Sequence, residues 1–335
     1  MTFTVDTHHH MVPGFFWEAR GRRPGGRHRA VALVTGERAL VPRRRRHRCR
    51  HHLDQHPGVH TGEDAAARLL ARRRNELAAE LIRDRPDRFG GFACLPLPDV
   101  DGALAELAYA LDDLQLDGVL LVSNARGVYL GDSQFTPQFT PLFDELQRRA
   151  AVVFVHPNPS PDPSARALGL PDTLIDFTAD TTRAIAQLHY SSTFARTPTR
   201  QVHLRPRRKY HALPGRRFGI IDEMRVIPGA EGRATAAETF RRLYWDTAAS
   251  WGDPCCACCA CCACCACCAT SRNRPRRIRH RLPLNAPRPG RLLPRAHRGR
   301  PELTDGERTA VLGATATTLI PRLATLRPRT RTRAL

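Results

Sequence analysis

The chain reads as an α/β protein organised on a parallel sheet with crossover helices, of a size for one (β/α)8 barrel. Three observations carry that reading. Short apolar, β-branched runs alternate with longer amphipathic runs between residues 89 and 156, as strands buried on both faces and joined by helices do. At 335 residues the chain has room for a whole barrel, or for two smaller domains. Histidines also stand directly after two of the expected strands, and strand ends are where a barrel builds its sites.

The first strand is the run Thr2-Phe3-Thr4-Val5, and Asp6-Thr7-His8-His9-His10 follows it. Side chains alternate with period two, so His8 and His10 point to one side and can meet one metal ion, while His9 faces the other way. The plain alternative is a histidine-rich end with no site. A second run, Ala151-Val152-Val153-Phe154-Val155, ends in His156-Pro157 and supplies a third imidazole at the end of a buried strand. Together His8, His10 and His156 make a candidate metal set.

The remaining elements follow in chain order. Met11 to Glu18 reads as folded protein, with Phe15, Phe16 and Trp17 after the histidines. From Arg20 to His56 the apolar pattern is lost, and Arg43 to Arg46 reads as a solvated charge run. Order returns at Pro57-Gly58-Val59-His60. A helix is expected from Glu63 to Arg83, carrying Ala65, Leu69, Leu77, Ala78 and Leu81 as a rough stripe. Phe89 to Leu95 is a strand, Val100 to Leu114 an amphipathic helix and Gly118 to Val122 a buried strand. Phe139 to Arg149 is a helix leading into the strand before His156. A proline-rich loop and a helix from Pro171 to Leu188 come next. Residues 200–217 lapse again into Arg, His and Pro, whereas Phe218 to Met224 and Leu243 to Ala248 have the texture of folded protein. Past residue 301, Thr304 and Glu307 form a capping box opening a helix with Val311, Leu312 and Leu319.

A net charge of +21 would ordinarily point to a nucleic acid or an acidic membrane. Its distribution argues otherwise. Residues 20–50, 200–217 and 271–300 hold 12, 7 and 11 Lys/Arg with Glu37 their sole acid, and the rest of the chain carries a net charge of −8. Few aromatic residues interleave with the arginines, so base stacking lacks its platforms. A nucleic-acid-binding protein is the competing class, and no specific nucleic acid is expected. No apolar run reaches the ~18 residues of a membrane span, and no basic region leads into an apolar leader, so the expected location is cytoplasmic. Ten of the twelve cysteines lie in residues 255–268, within five copies of Cys-Cys-Ala, leaving Cys49 and Cys94 elsewhere. Disulfide frameworks need dispersed cysteines and zinc motifs need spacers. The block reads as low-complexity sequence, with a thiolate tail as its alternative.

The motifs His8-His9-His10-Met11-Val12-Pro13, Pro57-Gly58-Val59-His60, Asn75-Glu76, Val153-Phe154-Val155-His156-Pro157 and Leu243-Tyr244-Trp245-Asp246-Thr247-Ala248 resemble the aminocarboxymuconate-semialdehyde decarboxylase branch of the amidohydrolase superfamily. Within it, the likeness is to the 6-methylsalicylate decarboxylase-like members. It covers residues 1–18, 57–198, 216–254 and 301–323. The resemblance implies a (β/α)8 barrel of the metal-dependent hydrolase type and a carboxy-lyase acting on an aromatic or unsaturated carboxylic acid. A hydrolase of the same superfamily is the alternative. It implies one divalent metal ion, zinc first and manganese second, with His8, His10 and His156 as ligands. It also implies an aspartate ligand after the eighth barrel strand and a histidine after the sixth that acts on substrate or metal-bound water. Neither has a counterpart where the family places it, so no catalytic residue is assigned. The implied partner is a small carboxylic acid, and a homodimer is left open.

The missing residues belong to the arginine-rich windows, and the genetic code offers a reason. Back-translated and read one base later, Arg200 to Pro214 permits Val-Lys-Phe-Ile-Phe-Ala-His-Ala-Gly-Ser-Thr-Met-Pro-Tyr, with its histidine codon straddling Pro206 and Arg207. The same shift turns Arg272 to Leu284 into Gly-Thr-Asp-Arg-Val-Val-Phe-Gly-Thr-Asp-Tyr-Pro, its second aspartate straddling Arg281 and Leu282. Glu37 to Pro57 likewise permits a helix followed by a strand. Three matches with one direction of shift read as a decarboxylase-like gene translated through compensating frameshifts. The expected organisation is one barrel domain over residues 1–323, interrupted at about 20–56, 200–217 and 255–300, with a disordered basic tail over 324–335. Activity of the chain as it stands is expected to be impaired.

Overall fold

The computed structural model describes residues 5–8, 10–21, 49–52, 58–131, 138–160, 162, 172, 175–197, 201–204, 212–227, 234–245 and 304–325. Among these the strands are β1 (Val5–Asp6), β2 (Cys49–His52), β3 (Phe89–Cys94), β4 (Gly118–Val122), the short pair β5 (Asn124–Ala125) and β6 (Val128–Tyr129), β7 (Val152–His156), β8 (Gln201–Leu204) and β9 (Tyr244–Trp245). The helices are α1 (Gly14–Glu18), α2 (Asp64–Asp84), α3 (Val100–Ala108), α4 (Thr140–Arg148), α5 (Asp176–Tyr190), α6 (Thr193–Arg196), α7 (Ala212–Met224), α8 (Ala236–Arg241), α9 (Asp305–Thr309), α10 (Thr315–Leu319) and α11 (Pro321–Thr325). A π-helical turn continues α3 over Tyr109–Asp113, and another joins α9 to α10 over Ala310–Ala314.

Seven strands form one sheet in the order β1-β2-β3-β4-β7-β8-β9, and every pairing is parallel. The strands therefore follow one another in chain order, each joined to the next by a crossover. A doubly wound sheet would reverse its order at a switch point; a barrel does not. β4 and β7 are buried along their whole length, and Phe92 of β3 stacks on Phe154 of β7 with centroids 5.9 Å apart. Each such fully buried apolar side chain contributes about 1.5–3 kcal/mol relative to exposure.

β2 and β8 lie inside windows where the sequence carries no apolar strand pattern. β2 sits between β1 and β3, with Val5 paired to Cys49 and Arg50 to Phe89. β8 extends β7, with Val153 paired to Val202, and hands on to β9 through His203 and Tyr244. Backbone groups pair whatever side chains they carry, so a sheet edge that must be satisfied can recruit polar sequence. α7 also starts inside such a window, at Ala212. The expected eighth barrel strand, the Cys-Cys-Ala block and residues 326–335 lie outside the described residues.

The helices clamp the sheet through a few specific bonds. Asn75 of α2, quoted above as part of a motif, donates to the Cys94 carbonyl at 3.0 Å and to Glu106 at 2.8 Å, and accepts from the Cys94 amide at 2.8 Å. Among the described residues β2 pairs along β3 as far as Gly91, and this amide takes the place of a ladder partner for the last residue of β3. At the other end of the strands, Arg322 of α11 forms a fork with Asp117, bonded through Nε at 2.9 Å and NH2 at 2.8 Å, and also reaches the Phe89 carbonyl. Leu319, Ile320 and Leu323 are buried in the main core. The capping box of Thr304 and Glu307 forms as expected, and a second one, Thr235 with Glu238, opens α8. No helix among the described residues is long and apolar enough to cross a membrane.

Candidate metal centre

His8 and His10 follow β1, and His156 is the last residue of β7. The sequence separates them by about 150 residues and the sheet by three intervening strands. Four spacings of about 4.8 Å would hold β1 and β7 some ~19 Å apart in a flat sheet. Yet the rings of His8 and His10 lie 4.9 Å apart, those of His8 and His156 5.1 Å, and those of His10 and His156 5.4 Å. Only a sheet that curls on itself brings these ends together, so the convergence of three rings is also the plainest mark of barrel curvature.

One ligating nitrogen from each ring lies within 4.8 Å of those of the others. Nitrogens bound to one ion at about 2.1 Å stand at most ~4.2 Å apart, so small ring rotations close the set. Among the described residues this is the one group of three or more His, Cys, Asp or Glu placed to hold an ion. His156 is buried and the other two are half-buried. Phe154 packs edge-on against His8 at 5.4 Å, and Phe177 lies 6.1 Å from His156. The His156 Nδ1 stands 2.7 Å from the Pro157 carbonyl. A carbonyl only accepts, so Nδ1 carries the proton and Nε2 carries the lone pair, the tautomer a metal ligand needs. His9 lies outside the described residues, as do residues 206 and 207 and residues 281 and 282, where the shifted reading puts the further histidine and the aspartate ligand.

The loops around His156 carry polar residues that sequence reasoning passed over. The His156 carbonyl accepts from the Ser123 amide at 2.9 Å, just past β4. The Asn158 amide donates to Ser123 Oγ at 2.9 Å and to Asp180 at 3.0 Å. Asp180 stands on the face of α5 that also presents Phe177, Ala184 and Leu188 to the core. A carboxylate on an apolar stripe was the signal available in the sequence. Burial pushes its carboxyl above the usual carboxylate range, against the pull of hydrogen bonds from Ser123, Asn158, Tyr129 and Asn124. The same burial, with the Asp180 charge beside it, holds the Tyr129 hydroxyl up at about 12.

A sequentially ordered parallel sheet with imidazoles gathered at the C-terminal ends of two strands defines the metal-site class of (β/α)8 proteins. The amidohydrolase family profile matches residues 5–203, more than half of the chain, and the chain belongs to that family. It is 35% identical over 208 residues to "Decarboxylase yanB" of Aspergillus niger, covering 58% of this chain and 55% of that protein. It is 34% identical over 203 residues to "6-methylsalicylic acid decarboxylase acuB" of Aspergillus aculeatus, covering 55% and 56%. The chain thus spans about half the length of the curated relatives it matches. Among solved structures it superposes on dihydroxybenzoic acid decarboxylase of Polaromonas sp. JS666, crystallised with manganese and the inhibitor 2-nitroresorcinol. There the TM-score is 0.58 and the identity 20%, over 73% of this chain and 78% of that one.

Proposed function

We propose that the chain derives from a metal-dependent carboxy-lyase for small aromatic carboxylic acids, with His8, His10 and His156 as its imidazole ligands. The convergence of those three rings at one barrel mouth carries the reading. Support comes from relatives named as decarboxylases and from a structural neighbour crystallised with manganese. A divalent ion held there would orient the substrate carboxylate and draw off charge as carbon dioxide leaves. The protein's own part is positional. Pro157 fixes the His156 tautomer, and Phe154 and Phe177 pack against the rings of His8 and His156. Decarboxylation also needs a proton delivered to the ring carbon. The histidine the family uses for substrate or water, and the aspartate ligand, belong to the shifted reading of residues 200–214 and 272–284. Zinc is the first candidate ion and manganese the second.

Equilibrating the full chain with zinc or manganese and measuring bound metal tests the ligand set. One ion per chain is expected, lost in a His8→Ala/His156→Ala double variant; stoichiometric metal in that variant would sink the assignment. A chain carrying the shifted-frame peptides in all three windows is expected to release carbon dioxide from hydroxylated benzoic acids far faster than the present one. Equal rates would dismiss the frameshift reading and require a role for the arginines.

A further inference from the structure

Asp180 is fully buried, and its neighbours show what it does there. Its Oδ1 accepts from the Asn124 side-chain amide at 2.7 Å, and its Oδ2 from the Asn158 backbone amide at 3.0 Å. Ser123 Oγ and the Tyr129 hydroxyl complete the set. The proton directions are forced. Both amides can only donate and an ionised carboxylate can only accept, so Ser123 Oγ, which accepts from Asn158, turns its own hydrogen to Asp180. The carboxylate therefore acts purely as an acceptor. All four donors lie outside α5, in the segments that follow β4 and β7.

Those segments meet at His156. Ser123 holds the His156 carbonyl, Asn158 donates through its side chain to the Asn124 carbonyl at 3.0 Å, and the Pro157 carbonyl between them accepts the imidazole proton. If the turn over residues 156–158 rotates, the Pro157 carbonyl moves and the ring loses what orients it. We propose that Asp180 is a positioning residue for His156, its buried carboxylate clasping the turn after β7 to the segment after β4 and so setting the direction of Nε2. The inference rests on the metal-site reading above and goes beyond it. Partners of metal-ligating histidines are worth about 10- to 100-fold in metal affinity.

Cobalt(II) serves as the probe, because its visible absorption band reports ligand geometry as well as occupancy. The full chain, Asp180→Asn, Asn124→Ala and His156→Ala are titrated with cobalt, and far-ultraviolet circular dichroism checks folding. In Asp180→Asn an amide hydrogen faces a donor, so the clasp is broken with little change in volume. It is expected to bind cobalt roughly 10- to 100-fold more weakly, with a shifted or weakened band. A folded Asp180→Asn with unchanged affinity and spectrum overturns the proposal. If that variant does not fold, Asn124→Ala decides. It removes one donor only, and a smaller loss in the same direction is expected; wild-type affinity and spectrum there overturn the proposal. Failure of the metal reading looks different. A wild-type chain without a cobalt band, or a His156→Ala variant that keeps it, refutes the site itself and the Asp180 role with it.

Discussion

Replacing Asn75 by alanine tests how much of the barrel rests on one side-chain amide. Asn75 is 1% exposed and makes three hydrogen bonds, two to the Cys94 backbone and one to Glu106. Alanine removes all three and offers nothing in return. A buried group left unpaired costs about 1–3 kcal/mol. Glu106 keeps Arg72, bonded at 2.9 Å, so its share is the smallest. The Cys94 amide and carbonyl bear most of the loss, giving about 3–5 kcal/mol in total, against a domain stability of about 5–15 kcal/mol. Urea unfolding followed by circular dichroism measures it as a lower midpoint at unchanged slope. A loss below about 1 kcal/mol would refute the idea that this amide stands in for a strand.

Gly131 has φ +81°, and a Cβ there would lie 2.7 Å from the Leu188 amide nitrogen on α5. Gly131→Ala is therefore expected to cost about 1–3 kcal/mol or more and to weaken cobalt binding, since α5 also carries Asp180; unchanged melting and affinity would contradict this. Glu145 is held down at about 2 by hydrogen bonds from Arg148 and Arg149, from an ordinary value of 4.5. A depressed carboxylate stabilises the fold above the unfolded value, and that contribution is lost as pH falls through the folded one. Urea midpoints of the parent chain are expected to fall between about pH 4.5 and 2, and those of Glu145→Gln to fall less; parallel pH curves would dismiss the coupling. Arg322→Ala is expected to lower the melting temperature by loosening α11 from Asp117, and no change would show that the fork is idle.

What the sequence made legible follows from burial. β3, β4 and β7 are covered on both faces, so their runs carry no polar alternation to confuse them with anything else. α2 and the Thr304 box were readable from periodicity and capping chemistry. β2 and β8 were not, because Arg50, His51, His52 and His203 say nothing of strands; their neighbours in the sheet decide the matter. The helix expected from Pro171 is described only from Asp176, and α3 passes into a π turn at Tyr109, where no side-chain pattern marks the change. The histidines were legible in a different way. Spacing paired His8 with His10, and a strand end singled out His156, but their meeting depends on curvature that no local pattern encodes. Asp180 escaped notice because one carboxylate on an apolar face looks like noise until its four donors are in view.

The division of labour along the barrel separates two capacities of this chain. The three imidazoles and the groups that hold them come from β1, the segments after β4 and β7, and α5. All of these precede residue 198, and none lies in an arginine-rich window. On the proposed ligand set, metal binding would survive in a weakened, three-ligand form. Proton delivery would not, because the histidine the resemblance implies for it stands only in the shifted reading of residues 200–214. Restoring the fourth ligand and the proton carrier adds two independent things, one to affinity and one to rate. The restored chain should gain more in turnover than in metal affinity, and comparing the two ratios distinguishes a damaged enzyme from a protein that binds metal for another end.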